Sequence, residues 1–148
     1  MKARSKARSA ARLAAVQALY QLDMEAPSMA RLLDEFHRHR LGAEIEGDQY
    51  VEAETAFFDD VVQGVAARKD EIDGLLAAKL ATGWTLERLD KTLLQVLRAG
   101  AYELLARADV PTASVITEYV DVAHAYFESR EAKFVNGLLD AVAKVVRR

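Results

Sequence analysis

Apolar residues recur along this chain at three- and four-residue intervals and no stretch alternates with period two, so the pattern predicts helices throughout. A first helix is expected from about Arg4 to Met24, with Leu13, Val16, Leu19, Tyr20, Leu22 and Met24 on two sides, as for a helix held between neighbours. Ala26-Pro27-Ser28 ends it, and Ser28 is placed to cap a short helix running through His39. Gly42 to Asp48 reads as a loop. From about Tyr50 a long pattern carries Phe57, Phe58, Val61, Val62, Val65, Ile72, Leu75, Leu76 and Leu80, with a kink expected between Arg68 and Asp73. Ala81-Thr82-Gly83-Trp84 breaks it. Thr85 then opens a strong helix through Leu105, with Leu86, Leu89, Leu93, Val96, Gly100 and Leu104 as its stripe. Beyond the turn Asp109-Val110-Pro111-Thr112, another helix is marked by Val115, Tyr119, Val122 and Tyr126. The last follows Glu131, with Phe134, Leu138, Val142 and Val145 on its apolar face and Lys133, Asn136, Asp140, Lys144 and Arg147 opposite.

Two prolines and seven scattered glycines are the main punctuation, and no repeat, low-complexity tract or linker divides the chain. Its 148 residues read as one all-α domain, an N-terminal bundle to about Leu80 packed on a C-terminal bundle from about Thr85. No run of about eighteen apolar residues is present, so no membrane span is expected. The absence of cysteine removes disulfides, thiolate metal sites and cysteine nucleophiles together, and with a reducing compartment in view the cytoplasm is expected.

Charge changes this picture. Lys2, Arg4, Lys6, Arg8 and Arg12 stand in the first twelve residues and no acid precedes Asp23, although the net charge of the chain is −3. In a helix Arg4, Arg8 and Arg12 share one side, at the end where the macrodipole is positive and cations cost stability. A partner's negative charge explains them where helix energetics do not, and nucleic acid is the first candidate. A transit peptide, a secretory signal and a solvated charged tail are the competing readings. The first conflicts with a helix whose apolar positions continue past Arg12, and the second with the interruptions at Gln17 and Gln21.

Candidate chemistry is otherwise sparse. His37 and His39 are two apart and share no helix face, and His124 is remote from both, so no metal site is expected. There is no Gly-x-Ser-x-Gly elbow and no glycine-rich phosphate loop. Between Arg40 and Arg68 the acids Glu44, Glu46, Asp48, Glu52, Glu54, Asp59 and Asp60 meet no base. That surface could receive a basic protein, and ordinary solvation is the simpler reading. Arg98, inside an apolar helix, is expected in a structural ion pair, with Glu118 as a guess at its partner. Tyr20 beside the basic helix can stack a base or fill the core, and Phe134 beside Lys133 has the same two readings.

The segments Ala11-Arg12-Leu13-Ala14-Ala15-Val16-Gln17-Ala18-Leu19-Tyr20-Gln21 and Phe58-Asp59-Asp60-Val61-Val62-Gln63-Gly64-Val65 resemble the NusB family of bacterial transcription antitermination factors. Leu97-Arg98-Ala99-Gly100-Ala101-Tyr102-Glu103-Leu104-Leu105 with Asp109-Val110-Pro111, and Lys133-Phe134-Val135-Asn136-Gly137-Leu138-Leu139-Asp140, extend the resemblance nearly to the end of the chain. The resemblance implies an all-α fold of two packed three-helix bundles, six to seven helices in all, with subdomains about 1–81 and 82–148. It implies no catalytic activity and no cofactor. It also implies binding of boxA RNA in ribosomal RNA transcripts together with NusE, a small-subunit ribosomal protein, and assembly with NusA, NusG and RNA polymerase. Carried over residue by residue, the RNA-binding set is Lys6, Arg8, Arg12, Gln17, Tyr20, Lys133 and Phe134. The chain departs from the family pattern at Thr117, where asparagine is usual, and at Ser9 and Ala10, which interrupt the arginine cluster.

Two alternatives belong to other classes. Ribosomal RNA cytosine methyltransferases carry a similar helical domain at their N-terminus, but a cofactor-binding α/β domain and a catalytic cysteine are expected to be absent from a chain that ends at Arg148. A helical homodimer without RNA affinity, in which an apolar subdomain surface self-pairs and covers the RNA site, is the other.

Overall fold

Seven α-helices and one 3-10 turn make up the computed structural model, which describes residues 2–41 and 48–147, and no strand occurs among them. Two compact units divide at Gly64 and Val65. The expected loop from Gly42 lies outside the described residues, save for Asp48, which opens a helix.

The first unit holds α1 (Lys2–Glu25), α2 (Met29–His39) and most of α3 (Asp48–Ala67). Ser28 caps α2 as expected, its hydroxyl accepting from the Arg31 N–H at 3.3 Å. The buried side of α1 is only partly the one its large residues mark. Ala7, Ala11, Ala14, Ala15 and Ala18 are buried with Val16 and Leu19, whereas Tyr20 and Met24 are exposed. Alanines at this spacing form a continuous stripe and let a neighbouring backbone approach closely. Phe36 of α2 stacks on Phe58 of α3 with centroids 5.4 Å apart, and His37 Nε2 meets Asp59 Oδ1 at 2.6 Å. The acidic segment is therefore not a wholly solvated face: Asp59 serves α2, and Glu54 is buried. At its far end α1 stops at Ala26, which takes a left-handed φ of 49° while its N–H returns to the Leu22 carbonyl.

The second unit is arranged around α5 (Lys91–Ala106), which packs against α4 (Lys69–Ala77), α6 (Thr112–His124) and α7 (Ser129–Val146). The expected kink is a break at Arg68, where ψ rises to 24° and α3 gives way to α4. Because α4 packs on α5, the segment after Val65 belongs with the C-terminal unit and not with the N-terminal bundle suggested by the break at Ala81-Trp84. The helix expected from Thr85 also begins later. Leu86–Arg88 is a single 3-10 turn, Leu89 is extended, and α5 starts only after Asp90, whose carboxylate accepts from the N–H groups of Thr92 and Leu93 at 2.8 and 3.1 Å.

From Leu93 to Leu104 every residue of α5 is buried, as for a helix surrounded on all sides. Its polar residues are correspondingly engaged. Arg98 donates from Nε and Nη2 to the two carboxylate oxygens of Asp73 at 2.8 and 2.9 Å, so the expected structural ion pair is made with Asp73, a partner the guess of Glu118 did not name. Tyr119 of α6 donates to the Glu103 carboxylate. Gly100 faces α7 so closely that a Cβ there would lie 2.7 Å from Leu139 Cδ1. On α7 the buried stripe is Ala132, Val135, Leu138, Leu139, Val142 and Ala143, which leaves Phe134 off the core face. Nor is Arg147 on a solvated face. Its guanidinium donates to the carbonyls of Glu103, Leu104, Arg107 and Val110 at 2.6–3.1 Å, satisfying acceptors at the C-terminus of α5 and in the turn after it. Tyr126 lies beyond α6, in a turn where the Phe127 N–H returns to the Ala123 carbonyl at 2.8 Å.

Candidate nucleic-acid interface

Alanine-rich sequence carries α1 through its opening turns despite five cations, because alanine has the highest helix propensity. No acid stands in the first turn to complement the macrodipole. Lys6 projects into solvent and Arg8 is half-buried. One turn on, Arg12 is only 4% exposed. Both guanidiniums lie over the ring of Phe57 on α3, with their carbons 4.7 and 4.8 Å from its centroid. The negative face of an aromatic ring attracts a cation at this range.

Further along α1, Gln17 is half-buried and its side-chain oxygen accepts from Arg40 Nη1 at 3.4 Å. Arg40 itself lies 4.8 Å over the ring of Phe36. Tyr20 is 40% exposed. Thus Lys6, Arg8, Arg12, Gln17 and Tyr20 all stand on one helix of the first unit, with Arg8 and Arg12 gathered on one ring.

Lys133 and Phe134 belong to α7 of the second unit. Lys133 is exposed, and Phe134, at 36%, is exposed as well. Phe134 lines a cavity of about 670 Å³ with Trp84, Arg88, Leu89, Phe127 and Arg130, among other side chains. Trp84 is 52% exposed, and the Arg88 guanidinium lies 4.9 Å over its ring while donating to the Gly83 carbonyl at 2.7 Å. Beside them the Glu131 carboxyl is held below its ordinary value, first by its own backbone N–H and then by Arg130. Sequence reasoning missed this group. Trp84 reads as part of a helix break, and only its i, i+4 spacing to Arg88 hints at a cation on an aromatic.

Among the described residues no set of three or more histidine or carboxylate side chains gathers in a metal-holding arrangement. No helix among them is long and apolar enough to cross a membrane.

The model of the NusB family matches residues 9–144. The transcription antitermination protein NusB of Novosphingobium aromaticivorans is 75% identical over 142 residues, covering 96% of each chain. Its counterpart from Sphingopyxis alaskensis is 61% identical, covering 100% of this chain and 99% of that one. Among solved structures, T. maritima NusB matches with a TM-score of 0.77 at 30% identity, covering 93% of this chain and 90% of that one. A chain from the crystal structure of the antitermination factors NusB and NusE in complex with dsRNA matches with a TM-score of 0.77 at 25% identity, covering 95% of this chain and 98% of that one. Matched by the family model over most of its length and by near full-length relatives of the same name, the chain belongs to the NusB family, whose members are transcription antitermination factors and not enzymes.

Proposed function

We propose that the chain binds boxA RNA of ribosomal RNA transcripts together with NusE, and that the pair joins NusA, NusG and RNA polymerase in an antitermination complex. The observation that carries this reading is the basic opening of α1, where Lys6 is exposed, Arg8 and Arg12 lie over Phe57 and no acid stands in the first turn. Likeness to a chain crystallised with NusE and RNA supports it. Single-stranded RNA is bound by cations on its phosphates and aromatic rings on its bases. In this reading Lys6, Arg8 and Arg12 supply positive charge, Tyr20 stacks a base, Gln17 offers an amide, and Lys133 and Phe134 add a fourth cation and a second ring. Work on a nascent transcript puts the protein in the cytoplasm.

A salt titration tests the electrostatic part. With about four phosphates contacted, log affinity for boxA RNA falls against log salt with a slope of roughly −3. Arg8→Ala reduces that slope by about 0.7. An unchanged slope and affinity in Arg8→Ala and Lys6→Ala alike would remove α1 from the interface. Specificity is read as the ratio of affinities for boxA and a scrambled RNA at fixed salt. NusE raises the RNA affinity, because coupling between two sites is reciprocal; equal affinity with and without it contradicts the cooperative part.

A further inference from the structure

We infer that Trp84 and Arg88 form a base-stacking platform that extends the RNA site, seating one nucleotide of the single strand in the cavity that Phe134 also lines. The inference rests on the proposed binding of RNA by Lys133 and Phe134, and deepens it with two residues outside the set that the family resemblance supplies.

Trp84 is the single tryptophan of the chain, and it is 52% exposed. The turn that presents it is tightly specified. Its N–H returns to the Ala81 carbonyl at 3.0 Å, and Gly83 before it takes a φ of 90°, a conformation that a Cβ disfavours. Arg88 completes the platform from the 3-10 turn Leu86–Arg88, its guanidinium lying 4.9 Å over the indole while Nη1 donates to the Gly83 carbonyl at 2.7 Å. Both of these partners are neutral, and other guanidinium N–H groups remain to meet an anion. A ring and a cation ordered in the free protein leave less entropy to be lost on binding.

The cavity, about 670 Å³ and mostly apolar in its lining, falls within the size range of ligand clefts. Its two carboxylates are already engaged, Asp90 with the N–H groups of Thr92 and Leu93, and Glu131 with Arg130 at 3.1 Å. Exposed rings beside a cation suit a single strand, because every base has a π-face and every linkage a negative charge. Tryptophan and arginine also anchor protein partners. Continuity with Phe134 and with the exposed cation Lys133 next to it in sequence favours RNA as the occupant.

The test measures binding of boxA RNA by the full chain with NusE across a salt series. Trp84→Ala, at an exposed turn position, is expected to weaken binding by roughly five- to twentyfold with the salt slope kept, since stacking releases no counterion. Trp84→Phe, which keeps a ring, restores part of the affinity. Arg88→Ala lowers affinity and also reduces the slope by about 0.7. In boxA RNAs made abasic at one nucleotide at a time, the loss at one position should not add to that of Trp84→Ala, which marks the stacked base. A fluorinated tryptophan incorporated into this chain alone gives one fluorine resonance, expected to shift as RNA is added, and this readout needs no variant to fold. An unmoved resonance and unchanged affinity in Trp84→Ala, with Phe134→Ala or Lys133→Ala still weakening binding, overturn the inference and leave the RNA reading intact. Loss of NusE affinity in Trp84→Ala, with the RNA affinity of the chain alone unchanged, overturns it as well and gives the cavity to a protein partner. If Lys6→Ala, Lys133→Ala and Phe134→Ala all bind RNA as the unaltered protein does, the RNA reading itself fails and takes this inference with it.

Discussion

In the second unit, cations drawn into the protein end on oxygen: Arg98 on the Asp73 carboxylate, Arg147 on four carbonyls. In the first, Arg8 and Arg12 both lie over one benzene ring. An oxygen partner holds a cation by satisfying it, and the reward is a fixed core. A ring attracts a cation through the negative charge on its face. The comparison separates two surroundings of arginine within one small chain, hydrogen-bonding oxygen in the α5 unit and an aromatic face on α1.

The sharpest way to break that contrast is Arg98→Ala. It leaves the Asp73 carboxylate without its bidentate partner in a largely enclosed place, a change expected to cost about 3 kcal/mol of stability, the low end for a buried pair because Asp73 keeps some access to water. Urea unfolding measures the loss. The salt slope for RNA binding by the folded fraction should not move, and a reduced slope would show that Arg98 is not purely structural. Gly100→Ala is next. Its Cβ would meet Leu139 Cδ1 at 2.7 Å, and because the obstacle is the tip of a flexible side chain, overpacking should cost about 1–2 kcal/mol in the same assay. A neutral result would mean that Leu139 turns aside without strain.

What the chain discloses by reading alone depends on how far apart the partners are. Ser28 as a cap, the break at Gly83 and the turn at Pro111 are local, and all appear where periodicity and turn chemistry place them. Asp90 is equally local but was eclipsed by Thr85, since Leu86 and Leu89 continue the stripe although the backbone does not continue the helix. The Arg98 to Asp73 pair spans 25 residues, and the Arg147 contacts span about 40. Nothing in a periodic pattern announces such pairs. On α1 the difficulty is different: alanine reads as a helix former and not as core, so its buried stripe is invisible beside Tyr20 and Met24. The cations of the candidate site are legible as charge. Their ring partner is not, because Phe57 reads as one apolar position among nine in its segment.

A smaller effect sharpens the comparison within the first unit. Ala26 holds a left-handed φ of 49° where α1 ends, a conformation that disfavours any side chain with a Cβ. Ala26→Gly should therefore stabilise the protein by about 0.5–1 kcal/mol, offset in part by the greater freedom of glycine in the unfolded chain. A rise in the urea midpoint with no change in RNA affinity is expected. A fall would mean that the Ala26 methyl makes packing contacts worth more than the strain.

The smallest effect contrasts two arginine–carboxylate pairs in the second unit. Arg68 also grips a carboxylate with two donors, Nε to Glu71 Oε1 at 2.8 Å and Nη2 to Oε2 at 3.3 Å, but on the surface. This hydrogen bonding holds the Glu71 carboxyl below its ordinary value. A carboxyl whose pKa is lower folded than unfolded adds stability above the ordinary carboxylate range and loses it as pH falls through the folded value. The stability difference between the unaltered protein and Glu71→Gln should therefore be present at neutral pH and vanish in acid. Surface pairs are screened by water and salt, so the difference should be far smaller than that of Arg98→Ala and should shrink further at high ionic strength. Unfolding midpoints measured from pH 7 down to acid check both. A pH-independent difference would show that Glu71 acts through packing or helix propensity, and two surface donors would then be doing nothing that their buried counterparts do.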